Sequence, residues 1–151
     1  MRYLTEEGFA KLKSELEERK MVTRQQIAKA IKEAKEQGDL SENAEYSEAK
    51  HQQSENESRI MQLENLIRTS TVMKHNGDSD EVQLGSVIEV ETGKKKMTFT
   101  MVGSNEADPA SGKISNESPM GKAFMGRKAK QEVEVVLPNK KRFVYRILKV
   151  K

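Results

Sequence analysis

The residues best suited to chemistry are two carboxylates, Asp39 and Glu42, in the segment Gly38–Tyr46, which reads GDLSENAEY. Carboxylate oxygens are hard ligands of the kind that Mg²⁺ prefers. They also cap helices, and Asp39 as N-cap with Glu42 as third helical residue would form a reciprocal cap. No third acid is clustered with these two, so the sequence lacks the complete site of a stand-alone two-metal nuclease. The sequence is compatible with both interpretations of these residues, a functional acid pair and a structural cap.

The elements that must position this segment are two long helices. Residues 5–37 contain good helix formers with apolar or small residues at helical spacing, Thr5 is a candidate N-cap, and Gly38 ends the pattern. The spacing has one gap of seven residues, where Arg19 or Lys20 would face inward. Two long helices joined by a short loop must run antiparallel. The first half is therefore predicted to be a thin hairpin, roughly 50 Å long, whose tip is residues 38–42.

The second helix carries a heptad seam with steps of three and four residues. Its members are Tyr46, Ala49, Gln53, Asn56, Ile60, Leu63 and Ile67. Gln53 and Asn56 are polar, which weakens an apolar seam but can determine its register.

A row of lysines lies on the outer part of the predicted hairpin. Lys29, Lys32 and Lys35 follow one another at three-residue spacing, and Lys50 lies opposite on the second helix. One interpretation is a solvated face whose charges pair with Glu33, Glu36 and Glu48. The alternative is a basic surface that binds an anionic partner, which would make binding sensitive to salt.

The second half of the chain changes from a helical period to a period of two. Residues 70–84 are interpreted as a linker with one short strand, and the pattern after them predicts four strands around Val87–Val90, Met97–Met101, Val133–Val136 and Phe143–Val150. Ser118 is a candidate N-cap and Pro119 a first helical residue of one short helix. The predicted fold class is α+β: a long antiparallel helical hairpin, followed by a small antiparallel sheet with one helix.

The segment Ser118-Pro119-Met120 has a modest apolar character. It is interpreted either as the cap of the short helix or as part of a docking surface. The apolar strand residues are expected in the core rather than at an interface. They are Met97, Phe99, Met101, Phe143 and Tyr145.

Composition excludes several classes of protein. The 151 residues are 34% hydrophobic and 34% charged, which favours a thin core or a long solvated helix over a large globule. The chain has no Cys and two His, so disulfide scaffolds, thiol nucleophiles and His-rich metal sites are excluded. The net charge of +3 is too small to imply a general DNA binder. No apolar run spans a membrane and no signal-peptide core precedes the first helix, so we expect a cytoplasmic protein.

Three segments resemble the Gre family of bacterial transcript-cleavage factors. They are the tip GDLSENAEY with its flanking helices, the opening LTEEGFAKLKSEL, and the later ISNESPMGKAFMG. The resemblance covers essentially the whole chain in the family's order. It implies a coiled-coil hairpin domain at residues 1–74 and an FKBP-like α+β domain at residues 75–151.

The resemblance also implies a function. Gre factors bind bacterial RNA polymerase and insert the hairpin tip into its secondary channel. There they stimulate the polymerase's own Mg²⁺-dependent cleavage of the RNA 3′ end in backtracked, arrested complexes. Such a factor is not itself an enzyme. We expect a monomer that binds no cofactor alone and contacts the nascent RNA 3′ end only within the complex.

The resemblance implies roles for individual residues of this chain. Asp39 and Glu42 would be the catalytic tip acids and the ligands of an Mg²⁺ shared with the polymerase. Asn43, Glu45 and Tyr46 would support the tip. Lys32, Lys35 and Lys50 would form the RNA-contacting basic patch, and Ser118, Pro119 and Met120 the polymerase docking segment.

The chain departs from the family pattern in a few places, all outside the tip. A proline common in the first helix is replaced by the run at residues 22–27, and a Gly-rich turn becomes Pro138–Lys141. The rival hypotheses are a channel-plugging inhibitor of the polymerase and a coiled-coil interaction module without a metal. The intact spacing of Asp39 and Glu42 argues against the inhibitor.

Overall fold

The computed structural model describes residues 2–39, 42–77 and 79–151. The chain packs as two compact units: Phe9–Thr69 forms the first, and the N-terminal segment up to Gly8 joins Ser70–Lys151 in the second. The domain boundary at residue 74, suggested by the sequence, stays a prediction. In the described ranges, no helix combines the length and apolar character needed to cross a bilayer.

Helices account for the first unit, as the helical period predicts. The elements are α1 (Glu6–Glu18), a π-helical turn (Arg19–Thr23), α2 (Arg24–Glu36) and α3 (Ala44–Thr69). Thr5 is the N-cap that the sequence predicts, because its Oγ1 accepts a hydrogen bond of 3.0 Å from the Gly8 amide. The π turn coincides with the gap of seven residues in the apolar pattern.

The two arms of this hairpin run antiparallel. Contacts join Glu15 to Arg59 near one end and Ala34 to Asn43 near the other, so positions rise along one arm as they fall along the other. The predicted seam is confirmed. Its buried members are Ile27 and Ala34 on the first arm and Ala49, Asn56, Ile60 and Leu63 on the second.

The second unit contains a two-stranded and a five-stranded sheet. Strands β1 (Arg2–Thr5) and β2 (Ser70–Met73) pair in parallel. The larger sheet has the order β5-β4-β3-β7-β6, formed by β3 (Val87–Thr92), β4 (Lys95–Val102), β5 (Lys113–Ser115), β6 (Glu132–Val136) and β7 (Arg142–Val150). Pairing among β3, β4, β6 and β7 is antiparallel as predicted. The short β5 adds one parallel pair with β4.

The core of the second unit lies between the larger sheet and a six-residue helix, α4 (Pro119–Phe124). Phe124 is fully buried, with its ring centroid 5.6 Å from that of Tyr145 and 6.4 Å from that of Phe99. A Cβ at Gly121 would lie 1.8 Å from the Ser115 carbonyl oxygen, so only glycine allows α4 to approach β5 this closely.

The expected core residues are confirmed with one exception. Met101 and Tyr145 are buried, and Met97 and Phe99 pack against the core as half-buried side chains. The prediction for Phe143 is wrong, because its side chain is 39% exposed. Phe143 lies two residues nearer the β6–β7 turn than Tyr145, in the exposed first part of β7, and its ring centroid is 6.5 Å from that of Tyr145.

Candidate functional site

The first arm of the hairpin ends where the sequence predicts. Helix α2 stops at Glu36, and the Gln37 amide donates to the Ala34 carbonyl at 3.3 Å. Gly38 follows with a φ of 120°, a conformation that side chains disfavour, and this turns the chain out of the helix. Leu40 and Ser41, in the middle of the tip segment, lie outside the described residues.

The second arm begins at an asparagine cap. The Oδ1 atom of Asn43 accepts a hydrogen bond of 3.1 Å from the Tyr46 amide, three residues on. The backbone carbonyl of Asn43 also accepts the first helical bond, from the Ser47 amide at 3.1 Å. These two bonds define Asn43 as the N-cap of α3, in the position that short polar side chains favour.

The same side chain bridges the two arms. The Nδ2 atom of Asn43 donates to the carbonyl oxygen of Ala34 at 2.8 Å. Ala34 lies in the last turn of α2, and its carbonyl accepts this bond in addition to the one from the Gln37 amide. One side-chain amide therefore hydrogen-bonds to the end of α2 and to the start of α3.

The reciprocal cap suggested for Asp39 and Glu42 is wrong. Helix α3 starts at Ala44, so Glu42 precedes the N-cap instead of occupying the third helical position, and Asn43 performs the capping. Both acidic residues lie outside the helices and are exposed. Asn43 is the better cap because its side-chain amide can accept from the Tyr46 amide and also donate to the Ala34 carbonyl, whereas a carboxylate can only accept.

The residues assigned to support of the tip follow the cap directly. Glu45 is an exposed acid in the first turn of α3, where its charge complements the helix dipole. Tyr46 is half-buried, and its amide is the donor to Asn43. Beneath them, Ala34 and Ala49 are buried, and such small side chains allow a close approach of the two arms.

The lysine row lies on both arms near the tip. Lys32 and Lys35 are exposed on α2, and Lys50 is exposed on α3, where its Nζ lies 3.1 Å from Oε1 of Gln53. The suggested pairing with acids is found at Lys29, whose Nζ is 3.7 Å from Glu33. The Glu48 carboxylate instead accepts a hydrogen bond from Gln52 on its own helix.

The segment Ser118-Pro119-Met120 performs the structural role that the sequence suggests. Ser118 is the N-cap of α4, with Oγ accepting from the Gly121 amide at 3.0 Å, and Pro119 is the first helical residue. Met120 is half-buried against the core, and Pro119 is exposed. The docking role of this segment stays a prediction.

Comparison with known families identifies the chain. A family model described as "Transcription elongation factor, N-terminal" matches residues 2–72, and one described as "Transcription elongation factor, GreA/GreB, C-term" matches residues 77–151. The chain belongs to the GreA/GreB family of transcription elongation factors.

Named relatives are similar over most of their length. Transcription elongation factor GreA of Clostridioides difficile (strain 630) is 49% identical over 139 residues, which cover 90% of this chain and 87% of the relative. GreA of Staphylococcus saprophyticus is 43% identical over 150 residues, covering 98% and 95%.

Solved structures of related factors also match. Gfh1 of Thermus thermophilus aligns with a TM-score of 0.43 at 26% identity, over 99% of this chain and 97% of its own. A GreA/GreB factor from Nitrosomonas europaea aligns with a TM-score of 0.43 at 22% identity, over 61% of this chain and 78% of its own.

Asp39 and Glu42 of this GreA/GreB-family chain offer two of the oxygen donors that an Mg²⁺ site requires. Across residues 2–39, 42–77 and 79–151, no three or more His, Cys, Asp or Glu side chains cluster as metal ligands. Asp39 and Glu42 offer hard oxygen donors, but Mg²⁺ requires near-octahedral coordination. Two exposed carboxylates supply only part of such a coordination sphere.

Among the contacts of this GreA/GreB-family chain that the sequence did not predict, two involve side-chain amides. One is the bond from Asn43 to Ala34, and the other is a bond from Arg19 to the buried Asn56. The signal for the second was present, since Asn56 is polar in an apolar seam and the gap in the facing helix falls at Arg19 or Lys20.

Proposed function

We propose that this elongation factor binds bacterial RNA polymerase, inserts its hairpin tip into the secondary channel and stimulates cleavage of the RNA 3′ end in backtracked complexes. The observation that carries the proposal is that the residue capping α3 is neither of the two tip acids. Asn43 caps α3, and the exposed Asp39 and Glu42 lie outside the helices, at the end of the hairpin.

The chemistry belongs to the polymerase. An Mg²⁺ held jointly by the polymerase and the tip would stabilise the charge that develops on the oxygens of the cleaved phosphodiester. Asp39 and Glu42 supply oxygen donors and orient water, and they complete a site that neither partner forms alone. The factor is accordingly not an enzyme and has no cofactor of its own.

The basic patch would act on the RNA. Lys32, Lys35 and Lys50 are exposed near the same end of the hairpin as the acids. Lysine side chains attract phosphates without reading sequence, so they would hold extruded RNA as it passes the tip. Segment Ser118–Met120 would contact the rim of the channel. We place this activity in the cytoplasm and assign it to a monomer.

The test is cleavage by purified backtracked elongation complexes in the presence of Mg²⁺. The wild-type protein should shorten the RNA from its 3′ end. The substitutions Asp39→Ala and Glu42→Ala should abolish shortening and leave polymerase affinity within about twofold, because exposed acids at a tip contribute little to docking. Glu55→Ala is the matched control, since Glu55 is an exposed acid of α3 whose contact is with His51 on the same helix.

Each other result points to a different function. Inhibition of elongation without shortening by the wild-type protein would favour a channel-plugging inhibitor. Polymerase binding without either effect would favour a coiled-coil interaction module. Equal shortening by wild-type protein and the double variant would remove the roles assigned to Asp39 and Glu42.

A further inference from the structure

The seam of the hairpin contains a buried amide. Asn56 is 3% exposed, whereas Ile60 and Leu63 next to it on α3 are apolar. A polar side chain in such a seam is unfavourable unless its hydrogen-bonding groups find partners. The partners of Asn56 therefore reveal what the position does.

Both halves of the Asn56 amide contact one residue on the other arm. Nδ2 donates to the backbone carbonyl of Arg19 at 3.3 Å, and Oδ1 accepts from the Arg19 guanidinium at 3.2 Å. Arg19 is the first residue of the π turn, and its carbonyl also accepts from the Arg24 amide. Two bonds of opposite direction thus join Asn56 to a single irregular point of the first arm.

Charged groups surround this pair on both arms. Glu15 accepts from Arg19 at 2.9 Å and from two nitrogens of Arg59 at 2.8 and 2.9 Å. These contacts, chiefly the hydrogen bond from Arg59, lower the pKa of Glu15 from 4.5 to about 2.

Two further ion pairs join the arms at the π turn. The Arg24 guanidinium meets Glu57 through two hydrogen bonds of 2.7 and 2.8 Å, and Lys20 pairs with Glu64. Polar contacts between the arms therefore concentrate at one level of the hairpin, around the π turn.

We infer that Arg19 and Asn56 form a register lock, which holds α3 at one axial position against the π turn and so places the tip. Apolar seam contacts are non-directional and tolerate a slip of one helical turn, about 5.4 Å. A buried amide that finds its two partners in a single register does not tolerate that slip. Both residues are positioning residues, because they act on the tip through the helices.

The consequence for activity rests on the proposed function. Mg²⁺ accepts oxygen ligands only near about 2.1 Å, and misplacement of a catalytic group by about 1 Å costs roughly a hundredfold in rate. If the two arms slip against each other, the carboxylates at the end of the hairpin are displaced with them. A lock near the middle of the arms would therefore affect cleavage without contacting polymerase or RNA.

The register can be read by disulfide trapping, because the chain has no Cys. Ala30 and Ala49 line the same shallow hollow between the arms, so Ala30→Cys with Ala49→Cys reports the native register. Ala49→Cys with Ala34→Cys, one turn further along α2 and outside that hollow, reports a slip of one turn. Only the native pair should oxidise readily in the wild-type background, since a disulfide requires Cα atoms within about 7 Å.

The decisive substitution is Asn56→Leu, which makes the seam more apolar while removing both bonds to Arg19. We expect a hairpin at least as stable to heat, in which a slipped pair oxidises within about tenfold of the native rate. Cleavage should fall by about ten- to a hundredfold with polymerase affinity within about twofold. The control is Gln53→Leu, the other polar seam position, whose bond is to Lys50 on its own helix. It should keep the single register and wild-type cleavage.

The readouts separate this inference from the proposed function. If Asn56→Leu traps only the native pair, or cleaves like wild type, the lock is overturned. If the wild-type protein stimulates no cleavage, the proposed function fails, and the trapping pattern alone decides the lock. Should Asn56→Leu unfold, Arg19→Lys serves instead, because it removes the guanidinium bond and retains the carbonyl. It should then produce a smaller slipped fraction, and a native-only pattern would overturn the lock.

Discussion

The side chain of Asn43 donates to the carbonyl oxygen of Ala34 at 2.8 Å and thereby joins the start of one hairpin helix to the end of the other. Its Oδ1 atom meanwhile accepts from the Tyr46 amide, so one residue closes the tip in two directions. Asn43 is therefore the cap of α3, and Asp39 and Glu42 are not. This arrangement also makes the tip sensitive to the chemistry of a single amide.

Replacement of Asn43 should separate its two functions. Asn43→Ala removes both bonds and should lower the free energy of unfolding by about 1–2 kcal/mol, the usual cost of removing an N-cap. Asn43→Asp retains the acceptor for the Tyr46 amide but cannot donate to Ala34, so it should be destabilised by less. Urea unfolding followed by circular dichroism measures both. Asn65→Ala, an exposed amide contacted by Arg68 on the same helix, is the control, and equal stability of Asn43→Ala and Asn65→Ala would contradict the prediction.

Charge reversal at the basic patch should affect long extruded RNA most. Lys35→Glu with Lys50→Glu should weaken cleavage of deeply backtracked complexes more than binding to polymerase, because these lysines are expected to bind RNA phosphates. The dependence of cleavage on salt should also become shallower, by about 0.7 in the logarithmic slope for each phosphate that the variant no longer binds. Lys149→Glu with Lys151→Glu makes the same charge change on the second unit. Equal reductions of cleavage and affinity in the patch variant would indicate docking instead.

Stability at low pH should depend on Glu15. The pKa of Glu15 lies at about 2 instead of 4.5, chiefly because Arg59 hydrogen-bonds to its charged form. A carboxyl with a lowered pKa contributes stability that is fully present above pH 4.5 and is lost as the pH falls through about 2.

The contribution of Glu15 should be about 1 kcal/mol, because its side chain is partly exposed and solvent screens the pair. The difference in unfolding free energy between wild type and Glu15→Gln, measured from pH 7 to pH 2, should therefore shrink toward low pH. Glu18→Gln, an exposed acid of the same helix, is the control. A difference that is constant with pH would rule out the assigned ion pairs.

Two neighbouring substitutions should distinguish the cap of α4 from docking. Ser118→Ala removes the acceptor for the Gly121 amide and should destabilise the second unit by about 1 kcal/mol. Pro119→Ala changes an exposed side chain at a position that tolerates alanine, so stability should change by less than about 1 kcal/mol. If this segment docks on polymerase, Pro119→Ala should lower affinity by roughly fivefold, as truncation of a contributing interface residue does. Unchanged affinity would assign the segment a structural role alone.

Much of this architecture follows from the sequence by itself. The helical arms, the seam from Ala49 to Leu63, the stop at Gly38 and the four long strands are all confirmed. Each of these is encoded by a local period or by the backbone preference of one residue, so neighbouring residues suffice to predict it. The cap at Ser118 belongs to the same class, since a serine before a proline marks a helix start.

The tertiary structure decided the choices among residues that are locally equivalent. Asp39 and Asn43 can each cap a helix, and only the presence of the Ala34 carbonyl across the hairpin favours the amide. Arg19 and Lys20 could each fill the gap in the seam, and the buried Asn56 selects Arg19. Phe143 is as apolar as its neighbours, yet its place near the β6–β7 turn leaves it exposed. In each case the deciding partner is distant in sequence, and its position depends on how the whole chain packs.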